Sequence, residues 1–308
     1  MALADFAPEI IDLEDDEDIV NLMVYGGAGV GKTVFAGSAP RVLFLAPEDG
    51  GTLSAKRQGS QAKKWKVNSF QDLVEALNRI IDHIDEIKES FDWLAIDSIT
   101  HMQKLTMRQI LDDAVADNPE RDPDIPQMQD WQKYQNMFLR IVQAYNDLPI
   151  NVVWTALVRS EEDEEGDEFL VPDIQGKGYQ MAMTVASYMT SYGCMQAKDV
   201  PVKVNGEVKK DSEGNVIKKT VRTITWHDTG KIRGKDRTDT LAPSTKNLTL
   251  EQIGQLINRE ATKSDFARPT KKAPAKAPAK KVAAKKVAPK TTETTLDERE
   301  EEAIPAEV

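Results

Sequence analysis

Eight consecutive residues, Gly26, Gly27, Ala28, Gly29, Val30, Gly31, Lys32 and Thr33, satisfy the pattern G-x-x-x-x-G-K-[ST] in full. The chemistry open to such a run is the holding of a phosphate chain. Glycines let the backbone turn tightly, so that successive N–H groups face phosphate oxygens. A lysine closing the turn reaches the β- and γ-phosphates, and the hydroxyl after it ligates Mg²⁺. Lys32 and Thr33 take those roles, and the expected ATP-binding stretch runs from Gly26 to Val34. A helix N-terminus behind the loop adds partial positive charge.

Hydrolysis needs acids as well. A magnesium ligand is expected at the end of a buried strand, and Asp97 closes "WLAID" after four apolar residues. A helix-capping aspartate gives the same local pattern; the P-loop upstream favours the metal role. A second carboxylate has to orient the attacking water. "FLAPEDGG" places Glu48 at the end of the strand that follows the P-loop helix, with Asp49 as its neighbour and competitor.

These groups meet only if several strands end on one side of a sheet. The chain predicts that arrangement. "NLMVYG", "RVLFLAPE" (41–48), "DWLAIDS" (92–98) and "INVVWTALV" (150–158) read as buried strands. Between them lie helical patterns at 69–91, 101–116 and 128–148, with a polar, proline-broken loop at 118–127. Alternating strands and helices predict a mostly parallel sheet flanked by helices, an α/β fold. Further on, "VKVNGEVKK" and "DSEGN" carry hairpin signals, so antiparallel strands extend the sheet towards the C-terminal side. "LTLEQIGQLIN" (248–258) reads as a closing amphipathic helix.

The expected organisation is a disordered acidic leader over 1–18, an ATPase core over 19–258, and a tail over 259–308. The tail is rich in Lys, Ala and Pro with an acidic end, a composition that cannot bury a core. It reads as a nucleic-acid contact by counterion release, a partner site, or a solubilising tail. One cysteine, Cys194, excludes an internal disulfide, and with three scattered histidines it offers no zinc cluster. The N-terminus lacks a signal-peptide pattern and no apolar run approaches membrane-spanning length, so a cytoplasmic setting without membrane contact is expected. A net charge of -11 argues against a general nucleic-acid coat; any such contact has to be local.

Five segments carry a resemblance: "VYGGAGVGKT", "VLFLAPEDGG", "WLAIDSIT", "INVVWTALVRS" and "GKGYQMAMTVASYMTSYG". Together they resemble the RecA-like P-loop ATPases, and within them the short AAA-type phage ATPases that anneal or pair single-stranded DNA. The likeness covers roughly residues 20–240. It implies ATP and Mg²⁺ as cofactors and a homo-oligomer, ring or filament, that acts on single-stranded DNA beside a single-strand DNA-binding protein. In phage the setting is the host cytoplasm. Thr155 stands where such proteins carry a γ-phosphate-sensing polar residue, although they typically offer an Asn-Gln pair there. The loop 159–180 stands where they contact DNA. Its first half is acidic, and its candidates are Arg159, Gln175, Lys177 and Tyr179, the tyrosine for stacking on a base. The basic run Lys231, Arg233, Lys235, Arg237 stands where they reach a neighbour's γ-phosphate, with Lys235 and Arg237 favoured for that catalytic role. Met181, Met183, Met189, Met195, Cys194 and Trp154 read as core residues.

The expected function is therefore ATP-driven annealing or strand pairing of single-stranded DNA in recombination, with DNA-stimulated hydrolysis. A helicase-type motor, an ATP-gated loader for another replication protein and a nucleotide kinase share the P-loop. The acidic segment 160–168 makes a poor kinase lid, and no accessory strand-separating domain is evident.

Overall fold

A computed structural model of the chain describes residues 18–47, 51–204, 206–262 and 264–266. The acidic leader up to residue 17, Glu48 with Asp49 and Gly50, and the tail from residue 267 lie outside the described residues.

The strands are β1 (Asn21–Gly26), β2 (Val42–Ala46), β3 (Lys63–Lys66), β4 (Trp93–Asp97), β5 (Asn151–Glu162), β6 (Glu168–Pro172), β7 (Ser191–Pro201), β8 (Lys203–Val204), β9 (Glu207–Val208), β10 (Lys218–Thr225), β11 (Lys235–Asp236) and β12 (Ser244–Lys246). The helices are α1 (Lys32–Ala36), α2 (Leu53–Arg57), α3 (Phe70–Asp82), α4 (Ile84–Ser90), α5 (Ile99–Asp117), α6 (Met128–Asn146), α7 (Gln180–Ser187) and α8 (Leu250–Ile257).

The main sheet runs β12-β10-β7-β1-β5-β4-β2-β3, with β11 added to β7 and β6 to β5. From β7 through β3 the pairing is parallel, and β10, β11 and β12 join antiparallel. The expected α/β sheet with antiparallel C-terminal strands is thus the architecture observed. Parallel strands need both faces covered, and alternation of side chains divides the core accordingly. Met23, Tyr25, Leu94, Ile96, Val152 and Trp154 pack against α3, α5, α6 and α7 on one face. Leu22, Val24, Trp93, Ala95, Ile224 and Trp226 pack against α1 and α8 on the other.

Several local readings change. The helical pattern at 69–91 breaks at His83 (φ -127, ψ 35), giving α3 and α4 instead of one helix. The "VKVNGEVKK" hairpin forms β8 and β9, but as a separate two-stranded sheet. The acidic first half of 159–180 is not a loop. β5 continues to Glu162 and returns as β6, pairing Arg159 with Val171 and Glu162 with Glu168. The stretch 118–127 is non-helical as expected, and it is pinned: Arg121 lies 2.5 Å from the fully buried Asp130 carboxylate, which also accepts from the Gln127 N–H. This ion pair fixes where α6 begins. Met181, Met189, Met195, Cys194 and Trp154 are buried as read, and Met183 is partly buried against the core. Among the described residues no helix is long and apolar enough to cross a membrane.

Candidate active site

The P-loop leaves β1 at Gly26, where the backbone passes so close to β7 that a Cβ would stand 2.4 Å from the Met195 carbonyl oxygen. It closes at Gly31, whose φ of 108° lies in the left-handed region. The following helix, α1, is only five residues long because Gly37 ends it and Pro40 follows. Its dipole is correspondingly small. The helix end still adds partial positive charge as expected, alongside the loop's N–H groups and Lys32.

Lys32 is 8% exposed, and its Nζ donates to the Gly26 and Gly27 carbonyls, each at 2.8 Å. Burial holds its ammonium below the usual lysine range, against the opposing pull of Asp97 and Cys194. Burial also pushes the Cys194 thiol up to about 11, so it is an unreactive core group.

Asp97 ends β4, and the register sets it directly opposite Thr155 of the adjacent β5. Thr155 Oγ1 donates to Asp97 Oδ1. The other oxygen, Oδ2, is buried and has no hydrogen-bond partner. A buried carboxylate oxygen without a hydrogen-bond partner has the hard oxygen character that a divalent cation such as Mg²⁺ prefers. Asp97 and Thr33 thus fit Mg²⁺. When bound, the ion would neutralise phosphate charge during hydrolysis. Among the described residues no cluster of three His, Cys, Asp or Glu side chains could hold a metal by itself. Thr155 is fully buried, so in this structure it orients the Asp97 carboxylate.

Three residues missed in the sequence stand nearby. Thr100 and Gln103, in the first turns of α5 just after Asp97, grip the segment that follows β6. Both donate to the Asp173 carbonyl, at 3.2 and 3.1 Å. Gln103 Oε1 accepts from the Gln175 N–H at 2.8 Å and from the Tyr134 hydroxyl at 3.0 Å. Polar residues on an amphipathic helix ordinarily read as solvated; the i, i+3 spacing directly after Asp97 was the available signal. The third is Arg222 on β10, whose Nε donates to the Val30 carbonyl at 3.0 Å.

Three of the four DNA candidates come together, and Tyr179 stands apart from them. Gln175, Lys177 and Arg159 line a cleft of about 560 Å³ closed on its other side by Met128, Trp131 and Gln132 of α6. Lys177 is exposed, and Trp131 is 36% exposed. Arg159 donates to the Gly178 carbonyl at 2.6 Å and pairs with Glu161 at 2.8 Å. Tyr179 precedes α7, its ring edge-on to Phe169 at 5.1 Å. Trp131 was not foreseen, because a lone tryptophan in a helical pattern reads as core.

The late basic residues lie elsewhere. Lys235 pairs with Tyr192, itself opposite Met23 early in β1. Arg237 binds the Thr190 and Ser187 carbonyls beside Asn21. Both sit at the end of the sheet opposite their own P-loop. Burial, with Arg237 nearby, lowers the Lys235 ammonium below its usual range. Arg233 is engaged internally, 2.7 Å from Asp228 and over the Phe169 ring at 4.3 Å. Glu48, the expected water-orienting acid, lies outside the described residues.

A family model described as an AAA domain matches residues 20–238. No curated protein matches the chain. The match spans most of the sequence and contains the P-loop, Asp97 and the strand between them. The chain belongs to the AAA domain family of P-loop proteins, which bind ATP and hydrolyse nucleotide.

Proposed function

We propose that this chain is a Mg²⁺-dependent ATPase that binds single-stranded DNA and promotes annealing or strand pairing during recombination. It acts as a homo-oligomer, in a ring or filament, on DNA also handled by a single-strand-binding protein. One observation carries the reading. The segment Asp173–Lys177, whose C-terminal end lines the cleft, is held at the Asp173 carbonyl by Thr100 and Gln103 and at the Gln175 N–H by Gln103, both on the helix that follows Asp97 and Ser98.

The cleft has the chemistry for a single strand. Trp131 offers a π-face for a base, Lys177 and Arg159 offer charge for phosphate, and stacking on aromatic rings tolerates any sequence. The acidic β5–β6 turn repels phosphate and confines the strand to the Arg159–Lys177 side. Thr155 binds Asp97, and Thr100 Oγ1 accepts from the Leu157 N–H two residues further along the same strand, so a cation drawn to Asp97 biases the position of the DNA segment. Lys235 and Arg237, remote from their own nucleotide, are the groups available to a neighbouring subunit's phosphates.

ATP turnover measured by phosphate release across a titration of single-stranded DNA tests the reading. Turnover should rise several-fold and saturate, and Trp131→Ala should shift the midpoint to higher DNA concentration. Flat turnover across the whole titration would overturn the DNA assignment.

A further inference from the structure

We propose that Arg222 is a nucleotide-binding residue supplied by the same chain, its guanidinium meeting the phosphate chain where the P-loop opens into the cleft for the base. The inference rests on the family-level nucleotide site and is independent of the DNA reading.

Strand alternation places Arg222 on the β10 face that also carries Ile224 and Trp226, the face packed against α1. A charged residue in that row is out of keeping with its buried neighbours. Its backbone is fixed on both sides by Asn247: the Arg222 N–H donates to Asn247 Oδ1, and the Asn247 N–H donates to the Arg222 carbonyl, each at 2.9 Å. The guanidinium therefore hangs from a rigid point. It crosses to the P-loop so closely that a Cβ on Gly31 would stand 2.3 Å from its Nε. Among the described residues no carboxylate pairs with it. Among the described residues the guanidinium's one hydrogen bond, to the Val30 carbonyl, engages Nε, and the two Nη groups can meet an anion.

Two clefts meet at this side chain. One, of about 360 Å³, is lined by the P-loop residues Gly29, Gly31, Lys32 and Thr33, with Arg57 and Arg222 on its walls. The other, of about 190 Å³, is lined largely by apolar groups, among them Phe35, Met195, Ile224 and Leu248, with the Asn247 amide at its edge. The first matches a phosphate chain and the second a heteroaromatic base. Arg222 is common to both, so a nucleoside triphosphate lying in the two clefts passes its guanidinium. Positive charge for nucleotide binding then comes from β10 of the same chain as well as from Lys32.

Calorimetric titration of the full-length protein with ATP and with ADP, in the absence of DNA, tests the assignment. Arg222→Ala should weaken both by about tenfold or more. Arg222→Gln keeps an N–H donor for the Val30 carbonyl but carries no charge; it should bind as weakly as Arg222→Ala, and Arg222→Lys should recover part of the loss. Full affinity in Arg222→Gln would reduce Arg222 to a brace for the P-loop and overturn the proposal. So would affinity in Arg222→Ala within about twofold of the parent. If Arg222→Ala does not fold, the Gln and Lys variants decide. Normal ATP binding without DNA-stimulated turnover would refute the DNA reading and leave this one standing.

Discussion

Lys32→Ala will lower ATP turnover by roughly 10²–10³-fold, the cost of removing a preorganised donor from developing phosphate charge. The ammonium is already placed, donating at 2.8 Å to the Gly26 and Gly27 carbonyls. Among the described residues no other lysine lines the P-loop cleft. The fold should survive. The substitution removes a buried charge whose desolvation opposes folding, and the Gly27 end of the loop is partly exposed to water. Phosphate release at saturating and subsaturating ATP, with thermal unfolding alongside, checks the result. Turnover close to that of the parent would remove Lys32 from the site.

Asp97→Asn is expected to act through the metal. The Asn side-chain oxygen can still accept from Thr155, so the buried pair persists. The atom that replaces the unpartnered Oδ2 becomes an N–H₂ donor, which repels a divalent cation. Turnover should fall by about 10²-fold or more, and half-saturating Mg²⁺ should rise. A second effect follows from charge. Burial depresses the Lys32 ammonium and Asp97 opposes that depression. Lys32 binds phosphate only when protonated, so ATP affinity is retained below its pKa and lost as pH rises through it. In the parent, metal-free ATP affinity should therefore fall at a pH below the ordinary lysine value of 10.5. In Asp97→Asn the fall should begin at still lower pH. Equal Mg²⁺ requirements in the two proteins would contradict the metal assignment.

What the sequence discloses about this site is what is local. The P-loop is one contiguous run, and Asp97 is the acid at the end of a four-residue apolar strand. Neither needs knowledge of what lies beside it. Thr155 was legible as a polar strand residue, but its hydroxyl faces Asp97 only because β4 and β5 pair in one register. Gln103 is hidden for a similar reason: helical periodicity cannot show that a polar side chain is claimed by a segment some seventy residues away. Arg222 left a clearer sign, alternating with Ile224 and Trp226 in "VRTITW". The acidic residues 161–168 read as loop because strands are recognised by apolar alternation. β5 and β6 outrun the core there, and a solvated ribbon needs no apolar face. The short α1 was foreshadowed by Gly37 and Pro40, both stop signals.

The central claim is that nucleotide and single-stranded DNA are bound at linked sites on one chain. Linkage is reciprocal: if DNA raises affinity for ATP, ATP must raise affinity for DNA by the same factor. The direct measurement is the dissociation constant of a fluorescent single-stranded oligonucleotide, with Mg²⁺-ATP and without nucleotide, for the parent and for Gln103→Leu. The account predicts at least about fivefold tightening by ATP in the parent, the low end of ordinary coupling energies. It predicts little or none in Gln103→Leu, whose grip on Asp173 and Gln175 is lost. Equal affinity for the oligonucleotide with and without ATP in the parent would contradict it.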